Sequence, residues 1–291
     1  NGPRGRRGRR PSPAAVLLGP LVALPAAARR DTTGGTDATL VLSDAPLLGI
    51  AALIGIAVVA AVGGAITGRL TAPGTGRTFA GLCIAWAAMR TGNSWRLFEM
   101  HGAGAAIPRA IEGLLVAVAG FAIAAVLTIG CGRHTVDTFK ADLREAVGSA
   151  NGAIGVVIGV AAGIAGAVLV GLDGARGQCL AAGFFGSLLA AVGVHLATPT
   201  LSLEQARLRS IAAVGVLMVV GPVTVYAFPG GGAAADAARS GTLVGPSIVQ
   251  PLDWLVGIFL GIPTGLGWVG SVSEKAHQQA QSPTRKPRPT R

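Results

Sequence analysis

Between positions 90 and 109 the chain gathers Arg90, Arg96, Arg109, Glu99, His101 and Trp95 between two apolar stretches, with Glu112 just beyond. Guanidinium groups hold phosphates and carboxylates through planar forked donors, and basic pockets at a membrane surface hold lipid headgroups. Arg90, Arg96, Glu99, His101, Arg109 and Glu112 are therefore the candidate polar or anion site. A solvated interfacial loop is the plainer reading of the same residues.

Three ionisable groups stand at the ends of apolar segments, where a charge at membrane depth is a functional candidate by default. Glu112 opens one segment, and a carboxylate suits the positive end of a helix. Asp253 follows Pro251, which places it near the third position of a helix with proline first, again a capping position. His195 closes a segment, where hydrogen bonding to backbone is a plainer role than proton relay. Gly183, Phe184, Phe185, Gly186 and Ser187 resemble the surroundings of an intramembrane serine nucleophile. His195 lies eight residues on, about 12 Å along the same helix, beyond reach of the Ser187 hydroxyl. The chain has no zinc-protease helix, no phosphate-binding loop and no strand-flanked dinucleotide fingerprint. The sequence thus assigns no catalytic, cofactor-binding or metal-ligating residue. Cys83, Cys131 and Cys179 are an odd, scattered set, read as small buried hydrophobes.

The elements that carry these residues are apolar helices. The chain has 291 residues, of which 51% are hydrophobic and 13% charged, with 45 glycines and one tyrosine. Mean hydropathy is +0.60. That balance excludes a disordered chain, a disulfide scaffold and an ordinary soluble enzyme. Six stretches are long and apolar enough to cross a bilayer core: 46–67, 113–130, 153–172, 178–198, 211–228 and 252–270. The fold class is all-α: a polytopic integral membrane protein of about six, or else eight, transmembrane helices packed through Gly/Ala faces. Residues 1–45 read as a basic, Pro-rich tail or targeting segment, 46–270 as the helical domain, and 271–291 as a basic disordered tail.

Two segments decide the count. Residues 79–89 cover roughly 20 Å as a helix between Arg77 and Arg90, short for a span. Residues 14–28 are apolar but interrupted by Pro20 and Pro25. The formal charge of +11 lies wholly in the tails, because residues 31–270 carry twelve basic and twelve acidic side chains. Neither tail has an aromatic group for base stacking, so nucleic acid is excluded as a partner. Basic residues favour the cytoplasmic side. Six spans put seventeen of them inside and seven outside. Adding 79–89 alone levels the two sides at twelve each, and adding 14–28 as well restores seventeen to seven. An even count with both termini cytoplasmic follows, in a membrane of the bacterial plasma (inner) type.

Packing has its own signal. Gly155, Gly159, Gly163, Ala167 and Gly171 recur every fourth residue, a stripe that lets another helix backbone approach closely. Gly55, Gly63, Gly64 and Gly68 offer a complementary face, and a homo-oligomer is an alternative partner to an internal helix. Val136, Phe139, Leu143 and Val147 form the stripe of a short amphipathic surface helix. Ser202 and Gln205 form a capping box ahead of a helix that runs from about Leu203 into the membrane. The partners expected are the lipid bilayer and, at the basic tails, anionic lipid headgroups. Three functions fit: a non-enzymatic structural or assembly protein, a small-solute or ion transporter, and a membrane-embedded enzyme acting on lipid-linked substrates.

Overall fold

The computed structural model describes Thr39 and residues 46–92, 94–132, 135–172, 175–227, 233–240, 242–243 and 245–281. The expectations for 1–30, including a span at 14–28, lie outside the described residues. Among the described residues ten α-helices follow in order: α1 (Pro46–Leu70), α2 (Pro73–Ala88), α3 (Ser94–His101), α4 (Ala106–Gly130), α5 (Val136–Gly148), α6 (Ala150–Val170), α7 (Arg176–Ala197), α8 (Leu203–Val223), α9 (Ala233–Arg239) and α10 (Pro251–Gln281). No strand occurs among the described residues. Among the described residues six helical stretches are long and apolar enough to cross a membrane, and each contains one of the six segments the hydropathy pattern marks out, but for the last residues of three of them. The chain is a multi-pass membrane protein.

Glycine contacts give the direction of each helix. Along α6, Gly159 and Gly163 meet α7 at Val194 and Ala190, in antiparallel order. The same helix meets α8 in parallel, Gly155 beside Arg209, Gly159 beside Ala213 and Gly163 beside Leu217. Helix α4 runs antiparallel to α8, with Gly113 against the Met218 carbonyl and Ala117 beside Gly215. It runs parallel to α1, where Leu127 meets Gly64 and Cys131 meets Gly68. The bundle therefore has two ends. One holds Pro46, Ala88, Arg109, Arg176 and Pro251; the other holds Leu70, Pro73, Gly130, Ala150, Ala197 and Leu203. We call them the Arg176 end and the Arg209 end.

Helix α2 is the main difference from the hydropathy reading. It begins at Pro73, before Arg77, and its 16 residues make about 24 Å of helix. It starts beside Gly68 and finishes beside Arg176, so it runs antiparallel to α1 from one end of the bundle to the other. Close backbone approach makes this possible. Gly76 lies against the Gly64 carbonyl, and Phe79 packs on Gly63. The 69–110 region is consequently not one loop. Arg69 and Arg77 lie at the Arg209 end, Arg90 and Arg109 at the other, and the six-span charge tally, which put all four on one side, does not describe this arrangement.

The amphipathic α5 forms as its stripe predicts: Phe139 is buried, packs with Ala146 and Leu208, and has Leu143 against it. Thr135 caps its start, accepting from the Thr138 N–H at 3.2 Å. Helix α8 starts at Leu203 behind a complete capping box, Ser202 accepting from the Gln205 N–H while the Gln205 side chain accepts from the Ser202 N–H. Helix α10 runs beyond the expected boundary at 270, to Gln281.

Gly155, Gly159, Gly163 and Ala167 are buried along α6, and Gly171 follows its last turn. A Cβ on Gly159 would come within 2.7 Å of Val194 and 2.9 Å of Ala213; one on Gly163 would come within 2.6 Å of Leu217. The facing surface is α7 and α8. Gly63, Gly64 and Gly68 instead serve α2 and α4, and Gly55 has nothing within 4 Å, which corrects the pairing expected between the two stripes. Gly159→Leu and Gly163→Leu are each expected to lower stability in detergent by about 1–3 kcal/mol, because added methylenes have no room. Val157→Leu, on the exposed face of the same helix, serves as the neutral control. Thermal unfolding of the three variants measures the difference.

Candidate functional site

Of the four buried charges among the described residues, three collect at the Arg176 end, on α4 and α10, and α7 sets Arg176 beside them. Helix α4 starts at Ala106, earlier than its apolar run suggests, so Arg109 and Glu112 sit on its first two turns rather than before them. Both are buried, at 0% and 1% exposure. Glu112 is thus inside the bundle, not at a helix end facing the dipole. Helix α7 begins with Arg176 and α10 brings Asp253, which is 0% exposed.

The Arg176 guanidinium forks onto Asp253, with Nη1 donating to Oδ2 at 2.7 Å and Nη2 donating to Oδ1. The same guanidinium donates through Nε at 2.9 Å and Nη2 at 2.6 Å to the Ala88 carbonyl, the last of α2. Helix C-terminal carbonyls lack intrahelical partners and carry partial negative charge, so the half-buried Arg176 suits them. Asp253 also accepts from the Gln250 N–H at 3.0 Å, the capping role its position predicts. The Gln250 side chain turns back to α2, accepting from the Thr91 hydroxyl at 2.6 Å and donating to the Gly92 carbonyl.

Arg109 secures the segment just before α10. Its Nη1 donates to the Ser247 carbonyl at 2.9 Å and its Nη2 to the Val249 carbonyl at 3.1 Å. The guanidinium stands 4.9 Å over the Phe98 ring, a cation–π contact with α3. Arg109 is attracted by Glu112 and Asp253 and repelled by Arg176. The region holds two positive and two negative groups and is formally neutral, the arrangement that makes buried charge tolerable.

The six residues of the sequence-derived site divide between two environments. Arg109 and Glu112 join this knot. Arg90, Arg96 and His101 are exposed, and Glu99 is half-buried. Asp253 belongs to the knot as well. Arg176, Gln250 and Thr91 were not singled out by the sequence. A signal for Arg176 existed: a carboxylate opening an apolar helix needs a cation, and Arg176 is the basic residue that opens another apolar helix at the same end. His195 is half-buried in the last turn of α7. Ser187 is wholly buried, and its hydroxyl, with no hydrogen-bond partner among the described residues, faces Gly257 of α10. A serine without a base in reach is not an activated nucleophile.

A second polar cluster lies at the Arg209 end. Glu204 accepts from Thr128 at 3.2 Å and from Arg207, with Arg77 of α2 at 3.7 Å. Beside it a cavity of about 230 Å³ is bounded by Pro73, Cys131 and Leu203. Among the described residues no group of three or more His, Cys, Asp or Glu is placed to hold a metal ion. Cys131 and Cys179 lie at opposite ends of the bundle, and all three cysteines are free thiols. Comparison of the chain with protein-family models, with curated proteins and with solved structures finds no match.

Removing one member of a buried pair strands the other, whereas replacing both by apolar groups is often neutral. Arg176→Met and Asp253→Leu are each expected to cost about 3–5 kcal/mol. The double variant is expected to recover most of that loss, because the Ala88 carbonyl keeps the Thr91 N–H at 3.1 Å and the Thr91 hydroxyl at 2.8 Å as donors. A double-mutant cycle on detergent-solubilised protein measures the coupling.

Proposed function

We propose that the protein is a non-enzymatic multi-pass membrane protein with a structural or assembly role. The observation that supports this most is the use made of the buried charges at the Arg176 end. Arg176, Asp253, Gln250 and Arg109 spend their hydrogen bonds on helix ends and on one another. They tie α2, α4, α7 and α10 together. A transporter would be expected to keep such groups for a substrate or a coupling ion.

The test asks whether the charges themselves are needed. A strain lacking the gene is complemented with the Arg176→Met/Asp253→Leu double variant, its folding verified by thermal unfolding. A structural role predicts complementation equal to the wild type. Failure of the folded double variant to complement overturns the reading in favour of a role that uses the charges.

The Arg209 end is proposed to be cytoplasmic, in a membrane of the bacterial plasma (inner) type. Among the described residues Arg69, Arg77, Lys140, Arg144, Arg207 and Arg209 belong to this side. Arg90, Arg96, Arg109, Arg176 and Arg239 belong to the other. Both termini are then cytoplasmic on the eight-span count alone. The basic tails meet anionic headgroups on the cytoplasmic leaflet. In a cysteine-free background, a Lys140→Cys variant is expected to react with an impermeant maleimide only in inverted vesicles. An Arg96→Cys variant is expected to react in intact cells, and the reverse pattern inverts the orientation.

A further inference from the structure

At the Arg209 end a cavity of about 230 Å³ lies between the start of α2, the end of α4 and the first turns of α8. It is separate from the knot on which the proposed function rests, and its chemistry does not depend on which side of the membrane that end faces. Two guanidiniums and one carboxylate share its wall: Arg77, Arg207 and Glu204. Among the described residues Glu204 is the only acid in the lining.

Both arginines converge on one oxygen. Arg207 Nη1 donates to Glu204 Oε2, and Arg77 Nη2 stands 3.7 Å from the same atom. The other carboxylate oxygen, Oε1, accepts from the Thr128 hydroxyl at 3.2 Å. One positive charge in the wall is therefore left unanswered. Arg69 adds a further cation nearby, donating through Nε to the Gly130 carbonyl, one residue before Cys131 of the wall. The start of α2 has the same sign. Ala72 gives it no side-chain cap, and a helix N-terminus carries partial positive charge.

The Arg207 guanidinium also has a donor edge to spare. Its Nη1 is spent on Glu204, while its Nε is buried with no hydrogen-bond partner among the described residues. Nε and Nη2 form the edge that grips an oxyanion through two parallel N–H groups. A buried cationic N–H without an acceptor is costly. The side chains of Arg77, Arg207 and Glu204 keep 14%, 15% and 16% of their surface open, which leaves all three within reach of a ligand in the cavity.

An oxyanion of single negative charge answers both the surplus and the open edge. The wall continues in the apolar Leu127 and Leu203, the latter exposed. Inorganic phosphate leaves that surface unused, whereas acyl chains cover it. Basic pockets between membrane-crossing helices hold phospholipid headgroups in this way. A headgroup carrying its own ammonium brings a cation that the surplus repels. We propose that this cavity is a binding site for an anionic phospholipid, with Arg207 and Arg77 holding its phosphodiester.

The test uses the full chain purified in detergent and titrated in mixed micelles with phosphatidylglycerol or phosphatidylcholine, with inorganic phosphate as the lipid-free arm. Thermal unfolding follows stabilisation, and native mass spectrometry counts the lipid retained. Phosphatidylglycerol is expected to raise the unfolding temperature at a lower mole fraction than phosphatidylcholine. A charge-assisted hydrogen bond is worth about tenfold in affinity or more, so Arg207→Gln is expected to need at least about tenfold more phosphatidylglycerol for the same shift. That variant also loosens the pair with Glu204, so Glu204→Gln supplies the opposite arm. Its amide still accepts from Thr128, the positive surplus grows, and less phosphatidylglycerol is expected to suffice. Damage to packing alone would not improve binding. Arg144→Gln, exposed on α5 at the same end, removes a charge away from the cavity and is expected to respond as the wild type does. An unchanged or weakened response in Glu204→Gln overturns the site. An Arg144→Gln loss equal to that of Arg207→Gln overturns it in favour of general attraction. Equal shifts with the two lipids overturn the anionic headgroup, and an equal shift with inorganic phosphate overturns the lipid.

Discussion

Helices α7 and α10 run side by side in the same direction with their backbones nearly in contact, and the rest of the Arg176 end depends on it. A Cβ on Gly183 would meet the Asp253 carbonyl at 2.5 Å, and Gly257, Gly261 and Gly265 continue the contact along Ser187, Phe184 and Leu188. Lipid supplies no hydrophobic drive between helices, so such association comes from close packing. The parallel register sets Asp253 level with Gly183, about two turns into α7. Arg176, at the start of α7, reaches Asp253 and the Ala88 carbonyl along its side chain. Were α7 shifted by one turn, about 5.4 Å, the guanidinium would lose both acceptors.

The same close-contact rule organises the other half. Gly76 lets α2 lie against α1, Gly113 lets α4 lie against α8, and the α6 stripe seats Val194, Ala213 and Leu217. A chain with few aromatic side chains fills its interior by bringing backbones together rather than by interlocking large groups. Trp254 and Phe98 are large groups set among these close contacts, both wholly buried, Trp254 with its ring against Gly186 and Phe98 beneath Arg109.

The helical class and the six long spans were legible because lipid imposes length and apolarity directly on the sequence. The capping box at Ser202 and the amphipathic stripe of α5 were legible because both are local patterns. Asp253 was correctly placed as a capping residue for the same reason. What escaped is relational. The pairing of Arg176 with Asp253 and Ala88 joins positions far apart in the chain, and no periodicity records it. Arg109 resembled a loop residue, and Glu112 a helix start, because hydropathy marks where a helix becomes apolar, not where its hydrogen bonding begins. For α2 the pattern marked only 79–89, a doubtful span, and its start at Pro73 escaped because the first turns carry Thr75 and Arg77, which lower its apolarity while its glycines do the packing.

The brevity of α2 has a consequence for the surrounding bilayer. Helices α1 and α4, with 25 residues each, are about 37 Å long. Helix α2 is about 24 Å long, against a hydrocarbon core of about 30 Å. It is not wholly enclosed, since Thr78, Trp86 and Met89 are exposed. Lipids on that flank meet a hydrophobic band shorter than their own acyl layer and must thin to match it. On the α1 flank, where Ile54, Val58, Val62 and Ile66 face outward, no thinning is required. Hydrophobic mismatch is thus confined to one side of the molecule, and membrane thickness bears on that side first.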